Sequence, residues 1–412
     1  MRWPLLLTLV LQGAHAAPSI PPSPPPGLPG TFVPFSRLHE CPPLQRRNAV
    51  PSSADDVRPD DITVVMAMGD SITAAFLAKS GGWAIGSGGE IPSSWRREAD
   101  GQAVFATVTP DAEEFRGVSY AAGGDAGAIT LPNILAHYNP NVTGAATGHH
   151  PPVSCGLPGM SRVCTPHSDD DRLNAAISGS VAAALVGQAR DYLLPTYEET
   201  EKQDGWAFLN IGIGANDICA FCLSSTLPFG PGSPEEFVQG IRDAVQLVRN
   251  HVPKLIVNIM GVLRVSAIYK LTLTDPYCQG PLPFPHISVE CSCALIPGLV
   301  GDFTRWRMDN LAEAYDTAVL ELIREWEAED DSTFAAVWQP GSAFDLEHYP
   351  ITALSPADCF HPSEAAHARI AAGVWNRLTM DPGEKAIPVK WEEEVMVRCL
   401  EADDRINIRQ PR

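Results

Sequence analysis

Three residues suited to nucleophilic acyl transfer occur in this chain at positions that one folded domain can bring together. Ser71 follows the apolar run at residues 62–68 through a Gly-Asp-Ser turn. Far downstream, Asp358 and His361 place an acid and a base three residues apart. A histidine can take the proton of a serine hydroxyl while a carboxylate orients that histidine. A surface turn uses Gly, Asp and Ser equally well, so the tripeptide alone is weak evidence for catalysis.

Two further segments place hydrogen-bond donors after predicted strands. The strand predicted at residues 118–122 leads to Gly124, and the one at 206–213 leads to Asn216. Acyl transfer needs donors directed at the oxyanion of the tetrahedral intermediate, and a glycine N–H or an asparagine amide can supply them. We therefore predict an oxyanion hole formed by Gly124, Asn216 and the N–H of Ser71. A plain turn or a helix cap would explain each segment taken alone.

The elements that must position these residues alternate between strands and helices. The predicted strands are short and apolar, at residues 62–68, 118–122, 206–213, 254–261 and 334–338. The predicted helices show apolar residues at helical spacing, at residues 172–194, 234–251, 303–328 and from 362 onward. This alternation predicts an α/β fold, a three-layer α/β/α sandwich around a mostly parallel, doubly wound sheet. Ligands bind such sheets at the carboxyl ends of the strands. Long loops at about 80–115 and 263–301 are expected to cover or line the site.

Composition is that of a globular protein with a large core. The chain has 412 residues, of which 45% are hydrophobic and 19% are charged. The formal net charge of -20 disfavours binding to nucleic acid or to anionic lipid surfaces, so we expect no nucleic-acid partner.

The two ends of the chain predict a secreted protein. Residues 1–17 combine a basic start, a short apolar run and small residues, as signal peptides do. Residues 18–57 are proline-rich and predict an extended, partly disordered leader, followed by the catalytic domain at 58–385 and a tail at 386–412. No transmembrane segment and no C-terminal lipid-anchor signal are expected. We predict an extracellular monomer with a glycosylation site at Asn141.

Ten cysteines fit an oxidising compartment. Cys219 and Cys222 form a Cys-x-x-Cys pair, for which we predict a local disulfide rather than a redox or zinc site. Cys359 lies between the predicted acid and base, and we expect it to be disulfide-bonded. Cys41 and Cys399 could tie the two ends together, but the sequence does not fix the connectivity.

Four blocks in order resemble the SGNH, or GDSL, hydrolase family. They are the Gly-Asp-Ser that ends at Ser71, the glycine after the second predicted strand, the Gly-Ala-Asn-Asp of residues 214–217, and the Asp-x-x-His of 358–361. The resemblance covers about residues 58–380 and is closest to the phospholipase B branch. That branch is matched by the stretches at 115–119, 123–125, 130–135, 216–222 and 358–363.

This resemblance implies a flavodoxin-like fold and a secreted serine esterase that needs no metal or other cofactor. Ser71 would attack the ester, His361 would act as the base and Asp358 would orient it. The expected substrates are fatty acyl esters of glycerophospholipids and lysophospholipids. Apolar residues of the second long loop could line an acyl pocket or simply pack beneath it: Leu282, Phe284, Leu295, Ile296 and Leu299. Two alternatives stay open, an esterase for small or sugar acyl esters and a catalytically inactive secreted binding protein.

Overall fold

The computed structural model describes residues 27–79, 112–152, 154–155, 164–200, 205–224, 232–273, 275, 278 and 291–409. The strands are β1 (Phe32–Pro34), β2 (Ile62–Gly69), β3 (Ser154–Cys155), β4 (Cys164–Thr165), β5 (Trp206–Gly212), β6 (Leu255–Met260), β7 (Phe334–Gln339) and β8 (Met396–Arg398). The helices are α1 (Leu131–Tyr138), α2 (Ser168–Asp171), α3 (Leu185–Gln188), α4 (Leu194–Glu199), α5 (Ala215–Ser224), α6 (Pro234–Arg249), α7 (Val265–Thr272), α8 (Gly298–Glu327), α9 (Glu364–Arg377) and α10 (Pro382–Lys385).

A four-stranded parallel sheet in the order β2-β5-β6-β7 forms the centre of the fold. Every residue of β2, β6 and β7 is buried, because helices cover both faces of the sheet. On one face Met66 and Leu209 belong to the same apolar cluster as Ile241 of α6. On the other face Val65 clusters with Ile370 of α9. The predicted three-layer α/β/α sandwich with a mostly parallel sheet is confirmed.

The strand predicted at residues 118–122 was wrong. Residues Arg116–Val118 form a single turn of 3-10 helix, and turns follow it. The neighbour of β2 is instead a later, irregular segment, in which Ala175 donates to the carbonyl of Ala67 at 2.8 Å and Ile177 to that of Gly69 at 3.1 Å. The apolar residues of 118–122 are buried although they form turns, so burial alone does not predict a strand.

The helix predicted at residues 172–194 starts too early for the same reason. The backbone of residues 173–177 pairs with β2, and helical turns begin only at Ala182. From there α3, a π-helical turn at Ala189–Leu193 and α4 run on to Glu199. The apolar residues of the extended segment and those of the helical turns face the same core. Their spacing therefore looked like that of one continuous helix.

The described residues near both ends pack on this core. β1 pairs antiparallel with β8, and a disulfide joins Cys41 to Cys399 with a Cα–Cα distance of 5.3 Å. Val57 is fully buried, and its carbonyl accepts the N–H of Ile406 at 2.8 Å. The predicted domain boundaries at 58 and 385 stay predictions. Described residues on both sides of each boundary belong to the same apolar cluster as β2.

The predicted local disulfide between Cys219 and Cys222 was wrong. Cys219 lies in α5, is 7% exposed and is bonded to Cys291 with a Cα–Cα distance of 5.1 Å. A cysteine forms one disulfide, and this one points across the core towards a segment 72 residues away. The bond therefore fixes the helix that begins beside Asn216.

The predicted glycosylation site, Asn141, is exposed, and its glycosylation stays a prediction. Across the described part of the chain, no helix has both the length and the apolar character needed to span a lipid bilayer.

Candidate active site

The turn after β2 presents Ser71 at the carboxyl end of the sheet. A side chain at Gly69 would lie 2.2 Å from the carbonyl oxygen of Gly212, so only glycine lets β2 end this close to β5. The buried carboxyl of Asp70 accepts the N–H of Ile72 at 2.9 Å, and burial raises the pKa of Asp70 to about 7. Asp70 therefore braces the turn, while Ser71 faces the site.

The structure brings the three predicted catalytic side chains together. His361 Nε2 lies 2.8 Å from Ser71 Oγ, across 290 residues of sequence. His361 Nδ1 lies 2.5 Å from Asp358 Oδ2. The second oxygen of Asp358 accepts the N–H groups of Phe360 and His361 at 2.9 and 3.1 Å. With Nδ1–H facing the carboxylate, Nε2 is left to accept the serine proton.

Hydrogen bonds dock the acid and base loop on the segment that follows the nucleophile. Ser355 donates from Oγ to the carbonyl of Leu77 at 2.8 Å, and the N–H of Glu364 donates to Ala78 at 2.8 Å. The loop is also closed on itself, because the N–H of Ser355 donates to the carbonyl of His361 at 2.6 Å. These bonds hold the loop that carries Asp358 and His361 against the segment that follows Ser71.

A disulfide adds a covalent attachment to the same loop. Cys359, between the acid and the base, is bonded to Cys278 with a Cα–Cα distance of 5.8 Å. The expectation that Cys359 is disulfide-bonded is confirmed. On the other side, the Phe76 ring stands edge-on to the imidazole of His361 with centroids 5.0 Å apart. His361 is 1% exposed, so its imidazole is almost completely shielded from solvent.

The prediction of Gly124 as an oxyanion donor was wrong. Its N–H donates to the carbonyl of Ala146 at 2.7 Å and is not free to meet a substrate. A Cβ at Gly124 would lie 2.8 Å from the side chain of Ala145, so this glycine serves close packing of two loops. The sequence identified a glycine after a predicted strand, but residues 118–122 form no strand, and the irregular segment that pairs with β2 is residues 173–177.

Gly179 has the open surroundings that an oxyanion donor needs and that Gly124 lacks. It follows the segment paired with β2, has a φ of +80°, and a Cβ there would meet no atom within 4 Å. The next residue, Ser180, accepts a hydrogen bond from Asn216 Nδ2 at 2.9 Å. Within the described residues, the N–H groups of Ser71 and Gly179 have no hydrogen-bond acceptor. The sequence signal for Gly179 was the Ser-Gly-Ser at 178–180, which follows an apolar segment. It was missed because the spacing of the apolar residues predicted a helix there.

Asn216 lies where the sequence predicted, at the start of α5. An amide nitrogen carries two hydrogens, so the bond to Ser180 leaves one donor for a ligand. The neighbouring Asp217 accepts the N–H of Ala182 at 3.1 Å with both oxygens, and burial raises the pKa of Asp217 to about 6. Asp217 thus ties α5 to the chain after Gly179.

A buried ion cluster supports the segment that ends at Gly179. Arg116, with 0% exposure, binds the carboxylate of Glu114 at 2.5 Å and donates to the carbonyls of Asn174 at 3.1 Å and Ala176 at 2.9 Å. Glu114 also accepts the hydroxyl of Ser178 at 2.5 Å. Sequence reasoning missed this cluster, because Glu114 and Arg116 meet residues 174–178 only in the folded chain.

Three of the five apolar loop residues that could line an acyl pocket or simply pack beneath the loop lie within the described part of the chain. Leu295 is buried, whereas Ile296 and Leu299 are 37% and 87% exposed at the start of α8. Leu282 and Phe284 lie outside the described residues.

The sequence profile of the GDSL-like Lipase/Acylhydrolase family matches residues 65–374. The chain belongs to this family. The resemblance predicted from the four blocks is therefore confirmed, and the predicted class, a carboxylic ester hydrolase, agrees with the family.

Curated relatives include "Phospholipase B1, membrane-associated" from mouse, human and rat. The mouse protein is 28% identical over 372 residues, and the human and rat proteins are each 26% identical over the same length. These matches cover 87% of this chain but 22% of each relative, so the chain spans about a fifth of their length.

A solved structure, that of an acetyl esterase mutant with acetate ion, is also similar to this chain. It is 13% identical, and the match covers 53% of this chain and 72% of that one with a TM-score of 0.27. This similarity is too low to support any functional argument.

Proposed function

We propose that the protein is a secreted serine esterase that hydrolyses fatty acyl esters of glycerophospholipids and lysophospholipids. The observation that carries the proposal is the continuous chain of contacts from Ser71 Oγ through His361 to Asp358, at 2.8 and 2.5 Å. Relatives named phospholipase B1 favour a lipid ester as substrate. The signal-peptide-like start and the disulfides favour secretion.

In the proposed reaction, Ser71 Oγ attacks the ester carbonyl while its proton passes to His361 Nε2. The tetrahedral intermediate collapses, His361 returns the proton to the departing alcohol, and an acyl-serine remains. Water then attacks the acyl-serine with the same base, which releases the fatty acid and restores Ser71. Asp358 keeps the imidazole in the required tautomer and stabilises its protonated form.

The oxyanion of each tetrahedral intermediate would be bound by three donors. These are the N–H of Ser71, the N–H of Gly179 and the second amide hydrogen of Asn216. Gly179 replaces Gly124 in this role because its N–H, unlike that of Gly124, has no hydrogen-bond acceptor among the described residues. Removal of one such donor typically lowers kcat about 100- to 1,000-fold.

The proposal is tested by hydrolysis with separated products. Purified mature protein is incubated with phosphatidylcholine, lysophosphatidylcholine and p-nitrophenyl acetate, beside the Ser71→Ala variant. Ser332→Ala is the matched control, since Ser332 is exposed before β7, at the opposite edge of the sheet.

Release of fatty acid from both lipids, lost in Ser71→Ala and kept in Ser332→Ala, is the expected result. Turnover of the acetate ester alone would assign the protein to the small-ester class. If no substrate is cleaved in a Ser71-dependent way, the proposed function is wrong and the inactive binding protein becomes the better interpretation.

A further inference from the structure

The first turns of α8 expose an apolar surface, called here the α8 patch, which consists of Leu299, Val300, Phe303 and Trp306. Leu299 is 87% exposed, Val300 69%, and the two aromatic side chains 59% each. The rings of Phe303 and Trp306 stack with their centroids 5.7 Å apart. Of the seven large apolar side chains that the described part of the chain exposes, five lie between residues 296 and 306. Exposed apolar surface that is concentrated in one place marks an interaction site.

The same face of α8 is polar further along the helix. Side chains three or four positions apart share one face of a helix. The stripe that begins with Leu299, Phe303 and Trp306 continues with five exposed polar residues, Asn310, Glu313, Thr317, Glu321 and Arg324. The outer face of the helix is therefore built for water along most of its length and changes to apolar in its first turns.

These first turns project beyond the carboxyl end of the sheet. Near the end of α8, the ring of Trp326 meets that of Phe334, the first residue of β7. Asp316 accepts the N–H of Val262, two residues after β6, at 3.4 Å. At about 1.5 Å per residue, the part of α8 before Asp316 therefore extends about 25 Å past that end of the sheet. Ser71 lies at the same end.

Contacts at its base anchor this projection. The guanidinium of Arg305 lies over the ring of Tyr269 of α7, 3.6 Å from its centroid. Cys291, which precedes the patch, is bonded to Cys219 of α5. A disulfide therefore links the chain that leads into the patch to the helix that carries the candidate oxyanion donor, Asn216.

The charge near the patch differs from that of the whole chain. Residues 296–307 contain one acid, Asp302, and two bases, Arg305 and Arg307, which gives a formal sum of +1. Asp302 pairs with Arg305 at 2.5 Å. The whole chain carries -20, so it is repelled by anionic surfaces and by a second copy of itself. A zwitterionic lipid surface meets the apolar patch without this repulsion.

We propose that the α8 patch inserts into a zwitterionic lipid surface and holds the candidate active site against it. The choice of a lipid surface rests on the proposed function, because phospholipid substrates are packed in such surfaces. Helix faces rich in Trp, Phe and Leu lie in the interface, with their apolar side about 5–10 Å deep at the boundary of headgroups and acyl chains.

The test measures docking separately from catalysis. In a Ser71→Ala background, which leaves the lipid intact, sedimentation with phosphatidylcholine vesicles compares two double variants. Leu299→Ser/Phe303→Ser removes half of the patch. Thr317→Ser/Glu321→Ser is the matched control, because it changes the same exposed face of the same helix at the same spacing. With Ser71 restored, both pairs are assayed on the vesicles and on monomeric p-nitrophenyl butyrate.

We expect Leu299→Ser/Phe303→Ser to weaken vesicle binding about 10- to 100-fold, since each large apolar side chain that leaves water contributes about tenfold. Hydrolysis of dilute vesicles should fall by a similar factor, while kcat/KM for the monomeric ester stays at the wild-type value. The control pair should change neither. Trp306→Ser, which removes another side chain of the patch, should also weaken binding, and thermal unfolding checks that each variant is folded.

Vesicle binding that is unchanged in a folded Leu299→Ser/Phe303→Ser protein would overturn the docking proposal. A dimer in light scattering that these substitutions separate would also overturn it, because the patch would then contact a second copy. Lipid hydrolysis that requires Ser71 but not the patch would remove docking and leave the proposed function standing. Patch-dependent binding without any Ser71-dependent hydrolysis would support docking and remove the proposed function.

Discussion

The disulfide between Cys278 and Cys359 joins the chain two residues before the candidate base, His361. Cys359 lies between Asp358 and His361, and the bond holds their loop from outside. Replacing both cysteines by alanine should lower kcat with little change in KM, because substrate contacts remain while His361 gains freedom. A double replacement also avoids leaving a free thiol.

The size of the effect follows from two separate terms. In the chain-entropy treatment, a bond across 81 residues stabilises the fold by about 4.5 kcal/mol. For activity, a displacement of about 1 Å in a reacting group costs on the order of 100-fold. The hydrogen bonds of Ser355 and Glu364 to the segment after the nucleophile remain in the variant. We therefore expect kcat to fall roughly 10- to 100-fold rather than to vanish.

The double variant Cys41→Ala/Cys399→Ala separates activity from stability. This bond spans 358 residues, and the same treatment gives it about 5.9 kcal/mol. It joins the ends of the chain beside β1 and β8, so its loss should leave kcat near the wild-type value. Steady-state kinetics on a soluble ester, together with urea unfolding, measure both quantities.

Two results would refute this reasoning. Equal losses of kcat in both double variants would show that activity merely follows stability. Full kcat in a folded Cys278→Ala/Cys359→Ala protein would show that hydrogen bonds alone position His361.

Three further changes test individual groups. Asn216→Ala should lower kcat roughly 100- to 1,000-fold at similar KM, because one oxyanion donor is lost, and an unchanged kcat on a soluble ester would exclude that role. Gly179→Ala should also lower kcat, since a side chain at a φ of +80° is strained, and no loss would contradict its assignment. Burial raises the pKa of Asp70 to about 7, above its value of 3.8 in the unfolded chain. Its contribution to stability is complete below pH 3.8 and is lost as pH rises through 7, by about 4 kcal/mol. Asp70→Asn should therefore flatten the dependence of the free energy of unfolding on pH between these values, and an unaltered dependence in urea titrations would refute the shift.

Sequence reasoning worked best where chemistry is concentrated in short motifs. Ser71, Asp358 and His361 were identified from their residue types and from the elements around them, and the fold places them in contact. The strands β2, β5, β6 and β7 were also predictable, because parallel strands that are covered on both faces read as continuous apolar runs.

Prediction failed where the decisive contact is distant in sequence. Apolar spacing predicted a helix at 172–194, whereas pairing with β2 holds residues 173–177 extended, directly before Gly179. The same limit applies to Cys219, whose partner is 72 residues away in Cys291. Local patterns carry propensity, but strand neighbours and disulfide partners are set by packing of the whole fold.

The most direct test of the candidate nucleophile is labelling with a fluorophosphonate, followed by mass spectrometry of the peptides. We predict one label per molecule, on Ser71, with loss of fatty-acid release in proportion to labelling. The Ser71→Ala variant should take no label, and His361→Asn should label far more slowly because the base is missing. Full inactivation with the label on another residue, or no label on Ser71 in an active enzyme, would contradict the proposed mechanism.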